Sequence, residues 1–198
     1  MSTNFSQQVN NNRNGRSWNG GAGTLVRGLV VALVALALSG IVSAQDDTAL
    51  KFKGGIGVIP VTGVSAATGA VNLNVIRGVN PAGPWRIADL DAVVEPDGHI
   101  RVKGRGLLLA AGNGIGTNAG ASVHATLFCG LANSASAFDE AGVALDADGD
   151  FTIDDFLTGN GPLPNPCESP VLLIRSGNVA GQGVWFAAGI RKLEEDSQ

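Results

Sequence analysis

Between Trp85 and Leu109 the chain reads WRIADLDAVVEPDGHIRVKGRGLLL, two strand-like runs folded about Glu95-Pro96-Asp97-Gly98-His99. Pro suits the first central position of a type I turn, Asp the second, and Gly the left-handed position after it, which makes a three-residue hairpin loop with a bulge. Pairing Glu95 with His99 then sets every other partner, because side chains alternate faces with a period of two. One face collects Ala92, Val94, Ile100 and Val102, while the other sets Asp91 opposite Lys103, Asp89 opposite Arg105 and Val93 opposite Arg101. A core face backed by a charge-balanced solvated face accounts for the basic run Arg101, Lys103, Arg105 without a ligand, each pair contributing about 0.2–1 kcal/mol. Further out, Ile87 falls opposite Leu107 and Trp85 opposite Leu109 on the charged face. Either a bulge at Gly104 or Gly106 switches the parity, or that end is covered on both sides.

The same short, punctuated pattern recurs at Leu50 to Val61, Val71 to Arg77, Ala121 to Cys129, Val143 to Asp146, Asp150 to Phe156, Val171 to Arg175 and Val184 to Leu193. Clusters of Gly, Pro, Asn and Asp separate most of these runs, and the glycine-rich stretches Gly63 to Ala70 and Gly112 to Gly120 read as flexible connections. Beyond residue 44 no helical periodicity is sustained over ten residues, although Ala132 to Ala141 has room for a helical turn. The expected fold is all-β: an antiparallel β-sandwich or a partly open β-barrel of about eight or nine strands, preceded by a signal-peptide helix.

That preceding segment has its own logic. Residues 1–18 are rich in Asn, Gln, Ser and Gly, carry Arg13 and Arg16, and have no apolar period, so disorder is expected there. From Gly28 to Ala44 no charge occurs, Arg27 stands just before, and Val42-Ser43-Ala44 offers the small residues a signal peptidase reads. Cleavage is expected between Ala44 and Gln45, with an uncleaved membrane anchor as the competing reading, since the apolar run approaches the ~20 residues that span a bilayer. Gly40 breaks the run just ahead of the cleavage site and favours removal. The expected organisation is thus residues 1–44 as signal peptide with a long disordered N-terminal region, 45–190 as a single β-domain, and 191–198 as a charged tail containing Glu194, Glu195 and Asp196.

Removing residues 1–44 takes Arg13, Arg16 and Arg27 and no acid, leaving 10 of the 13 basic residues against all 17 acidic ones, a net charge of −7 over 154 residues. Such a chain can bury a proper core, and its acidity argues against nucleic acid, which demands a basic surface. Membrane contact is expected only through the signal segment, if that segment is kept. The expected location is secreted or periplasmic, and the style of the signal points to a bacterium. Cys129 and Cys167 are the only cysteines; one ends a strand and the other lies in the Pro-rich connection Gly161 to Pro170, so in an exported chain they should form one structural disulfide. With no Cys-x-x-Cys and no His cluster nearby, a redox pair or metal site is disfavoured.

Asp146-Ala147-Asp148-Gly149-Asp150 resembles the start of an EF-hand calcium loop, with Ile153 at position eight and Asp154 at nine. Phe151 stands where that loop needs Gly, and Leu157 where it needs a bidentate Glu. Laid on the first hairpin, Val94 to Val102 matches Leu145 to Ile153 at the Asp-Gly turn and at every apolar position, so a second Asp-Gly hairpin is the expectation. A weak surface calcium site at Asp146, Asp148, Asp150 and Asp154, of the millimolar extracellular kind, competes with it. No other cofactor is implied, because Gly112 to Gly120 lacks the spacing of a dinucleotide loop and the helix that would follow one.

No catalytic constellation is legible. There is no Gly-x-Ser-x-Gly, no His-Glu-x-x-His and no Tyr, and only His99 and His124 lie in the mature chain as imidazole bases. His99 sits at a turn; His124 shares a strand face with Thr126 and Phe128 and is expected to be solvent-facing or partly packed. Trp85 and Trp185 are expected to anchor the core rather than to stack on a sugar. The functional expectation is a non-catalytic structural or interaction module of the bacterial envelope or extracellular space, its partner a protein or polysaccharide. Two alternatives stand beside it: a hydrolase acting on an extracellular polymer through paired carboxylates, and a weak calcium-modulated binding module.

Overall fold

Strand follows strand because the apolar runs are short and each ends on a turn residue. A computed structural model of the chain describes residues 48–132 and 134–193, all within the unit Ala44–Gln198. The signal segment, the cleavage point between Ala44 and Gln45, and the acidic tail lie outside the described residues. The strands are β1 (Leu50–Gly57), β2 (Val61–Val64), β3 (Val71–Leu73), β4 (Trp85–Arg86), β5 (Asp89–Val94), β6 (His99–Arg105) and β7 (Leu108–Leu109). They continue as β8 (Ser122–Cys129), β9 (Ser136–Asp139), β10 (Val143–Ala144), β11 (Phe151–Phe156), β12 (Thr158–Gly159), β13 (Val171–Ser176) and β14 (Trp185–Lys192). Among the described residues there is no helix, and Ala132 to Ala141 contributes strand β9 instead of a helical turn.

The main sheet is antiparallel and runs β11-β6-β5-β1-β14-β13-β8-β9-β12. Its two ends are consecutive pieces of one extended segment, β11 and β12, separated only by Leu157, so the sheet comes round nearly to closure as a barrel. Closure removes the exposed edges that an open sheet must otherwise protect. Inside, the residues stack in layers: Leu90, Gly104 and Phe151 are cross-strand neighbours, as are Ala92, Val102 and Ile153. A Cβ at Gly104 would sit 2.0 Å from the Phe151 ring, so Gly104 is the space that the ring fills. Burying apolar side chains of this size contributes about 1.5–3 kcal/mol each.

The opening hairpin has the expected register throughout: Val94 pairs with Ile100, Asp91 with Lys103 and Asp89 with Arg105. The same count reaches Trp85 opposite Leu109 and Arg86 opposite Leu108 in β4 and β7. Pairing is interrupted between the two ladders, where Gly106 takes φ +63°. Beyond it the end is covered on both sides, for Leu107 and Leu108 are both buried and Trp85 stacks on Phe186 at 4.2 Å. On the outer face Arg105 meets Asp89 at 2.6 Å, and Arg101 reaches Glu95 at 2.7 Å. Asp91 bonds to Lys53 of the neighbouring β1.

The second Asp-Gly turn repeats the first in its hydrogen bonds. Glu95 N–H donates to His99 O and Gly98 N–H to Glu95 O, both at 2.9 Å; Asp146 N–H donates to Asp150 O and Gly149 N–H to Asp146 O, both at 3.0 Å. Its arms then part, because β10 pairs with β8 and β11 with β6. The turn therefore joins two sides of the barrel wall. Between β10 and β9 the free edge of β8 has a gap at Ala125, filled by the Glu140 carboxylate, which accepts from Ala125 N–H at 2.6 Å and also from Gly142 N–H. Burial pushes the Glu140 carboxyl above its ordinary range, opposed by the two backbone donors.

Cys129 and Cys167 are joined in a disulfide that ties the connection after β12 to the end of β8. Next to it Gly130 N–H donates to Glu168 O at 2.6 Å.

Candidate functional site

Two features have no counterpart in the barrel's own construction. The first is an arm. Strands β2 and β3 leave the main sheet and pair only with each other, Val61 opposite Leu73 and Val64 opposite Val71. From Gly54 to Ile76 the sequence contains no charged residue. Within that stretch Ile59 is 60% exposed, Val64 63%, Val71 56% and Leu73 53%. The arm is internally ordered: Ser65 N–H donates to Ala70 O, Asn74 Nδ2 to Ile59 O and Thr62 Oγ1 to Asn72 O. Gly63 to Ala70, expected as a flexible connection, is thus the end of a hairpin. Natural sheets blunt exposed edges with charge, and this one carries none.

The second feature is a polar cluster on the outer face of β8, where sequence alternation predicted a solvent-facing or partly packed surface. His124 and Thr126 are fully buried and Phe128 nearly so, as are Leu173 and Arg175 beside them on β13. His124 is therefore neither solvent-facing nor partly packed. The reason is the cover laid over this face by the segment around residues 74–82 and by the loop 177–184. Trp185 donates from Nε1 to Asn74 O at 2.9 Å and from its backbone to Asn80 O at 3.0 Å, fastening the first of these. That core anchoring answers the expectation for Trp185, which is 1% exposed.

Within the cluster Asp139 Oδ1 accepts from Thr126 Oγ1 and stands 3.7 Å from His124 Nε2 and 3.6 Å from Arg175 Nη1. His124 Nδ1 lies 3.2 Å from Gly177 O, an acceptor, which requires the proton on Nδ1. Arg175 donates from Nη1 to Thr126 Oγ1 and from Nη2 to the carbonyls of Gly181 and Gly183. Burial lowers the pKa of Arg175, and the neighbouring Asp139 charge acts in the opposite direction. Arg77 approaches the same place from the turn Ile76-Arg77-Gly78-Val79 and donates from Nη2 to Ser169 O at 2.9 Å. Among the described residues the buried side-chain nitrogens and oxygens without a hydrogen-bond partner are Arg77 Nη1, His124 Nε2 and Arg175 Nε.

Of the acids singled out in the sequence, Asp146, Asp150 and Asp154 have hydrogen-bond partners within the fold. Asp146 Oδ1 accepts from the backbone N–H groups of Asp148 and Asp150, and Asp150 Oδ1 from Gly106 N–H at 2.8 Å. Asp154 Oδ1 lies 2.6 Å from His99 Nε2. Among the described residues no three His, Cys, Asp or Glu side chains come together as a metal site would require. Sequence alternation placed Thr126 on the face of His124 but did not bring Asp139, Arg175 and Arg77 to it. A charge inside the apolar run Val171-Leu172-Leu173-Ile174-Arg175, and an Arg preceding Gly between Ile76 and Val79, were the available signals. No family model, curated protein or solved structure matches the chain.

Proposed function

We propose that the protein is an exported, non-catalytic interaction module of the cell envelope or extracellular space, and that it engages its partner, a protein or a polysaccharide, through the arm β2–β3. The observation that carries this reading is the uncharged, apolar, solvent-exposed arm on an otherwise charge-balanced barrel. Contiguous exposed apolar surface on an ordered scaffold is characteristic of contact sites, and an ordered arm loses little conformational entropy on binding. The disulfide supports export, since such bonds persist in oxidising compartments. The long signal-like segment supports it from the sequence side.

The test is co-sedimentation of the purified chain with envelopes of the cell that produces it, wild type against Val64→Asp/Leu73→Asp. Both positions are exposed, so the variant should melt with the wild type while its binding falls at least tenfold. Equal binding by the two proteins would remove the arm from the account.

A further inference from the structure

We infer that the cavity between Arg77, Arg175 and Asp139 is a binding site for a small organic carboxylate with an apolar body. The cavity holds about 340 Å³, within the range of small-ligand sites, and Val79, Phe128 and Val184 supply apolar wall beside the two arginines. Each guanidinium has one buried nitrogen without a hydrogen-bond partner, Nη1 of Arg77 and Nε of Arg175, so its hydrogen-bonding capacity is not used up by the scaffold. Two guanidinium groups on the lining of one cavity form a cationic wall of the kind to which a carboxylate is suited. Asp139 sets the charge of the ligand: two guanidinium groups against one carboxylate leave a single positive charge, which a monoanion neutralises and a dianion overshoots.

The backbone under Arg77 argues in the same direction. Ile76 and Val79 exchange both hydrogen bonds around Arg77 and Gly78, with φ +50° and +80°, so the turn is of type I′. Both central positions of that turn favour Asn, Asp or Gly, and an Arg side chain there is strained. Strain of this sort persists where the side chain has a task the scaffold alone does not require. Arg77→Gly should therefore keep or raise the melting temperature while removing one of the two cations on the cavity lining.

The experiment is thermal unfolding of the disulfide-intact chain in millimolar sodium hexanoate, with n-hexylamine and inorganic phosphate as parallel arms. At tenfold saturation the wild type should rise by roughly 3–6 °C in hexanoate and stay unmoved in the other two. Arg77→Gly should lose the hexanoate shift with its own melting temperature undiminished, and Ala137→Leu, which fills the cavity from β9, should lose it as well. No hexanoate shift in the wild type overturns the assignment, as does a shift that survives in both variants. A response to phosphate equal to that in hexanoate refutes a monocarboxylate site and identifies a general anion site.

Discussion

At the scale of single residues, two positions set the shape of the barrel wall. Gly104 is required because the Phe151 ring occupies the place of its Cβ. Gly104→Ala should cost about 1–3 kcal/mol, read as a lower urea midpoint with an unchanged slope, and an unaffected midpoint would show that the ring has room to move. Glu140 stands in for missing backbone at the gap in β8, and burial raises its pKa above the ordinary 4.5. A carboxyl raised in the folded state binds its proton more readily there than in the unfolded chain. Its contribution to stability is thus greatest below the ordinary pKa and declines as pH rises through the shifted value. Glu140→Gln places an amide N–H₂ against a backbone donor and should lower stability by roughly 1–3 kcal/mol, but it abolishes that decline. Urea unfolding of both proteins between about pH 4 and 7 checks this: the gap between them should narrow with rising pH, and parallel profiles would refute the role assigned to burial. The sequence offered Gly104 only as a candidate bulge and gave no sign of the role of Glu140. A glycine under a ring and a carboxylate bridging strands depend on neighbours distant along the chain, and alternation speaks only for the strand that bears it.

Among elements, the hairpin β5–β6 was readable to the last pair because an Asp-Gly turn determines register locally and everything outward follows by counting. The bulge question at its open end was settled by packing that no local rule supplies: Gly106 interrupts the pairing, and Trp85 stacks on Phe186 from β14. One charge pair was reassigned for the same reason, since Asp91 finds Lys53 on β1, a strand whose position beside β5 is nonlocal. The run Val71 to Arg77 ends as a strand at Leu73 because Arg77 and Gly78 are needed for a tight turn. His124 is buried through two covering segments whose sequences have no period to read. The disulfide was legible from count and position, and it bridges 38 residues. Cys129→Ser/Cys167→Ser should lose about 4 kcal/mol in the chain-entropy account, a drop on the order of 10 °C in melting temperature. A melting temperature that does not move would show that Gly130 and the surrounding β8 hold the connection unaided.

For the whole molecule, the distribution of charge separates what builds the protein from what it does. On the barrel's outer face Lys53, His99, Arg101 and Arg105 each meet an acid across β1, β5, β6 and β11. The arm has apolar surface and no charge, and its exposure has no structural compensation within the described residues. All-β architecture was evident from the short strands and their turns, whereas the choice of a nearly closed barrel over a sandwich was not, because it depends on β11 and β12 pairing with opposite ends of the same sheet. The central claim is that contact runs through the arm. It is tested most directly by a photoactivatable cross-linking residue placed at Leu73 or, as a control on the charged face, at Lys103, in protein exported by the cell that makes it. The account predicts a discrete adduct from Leu73 and none from Lys103; adducts from Lys103 alone, or from neither position, would contradict it.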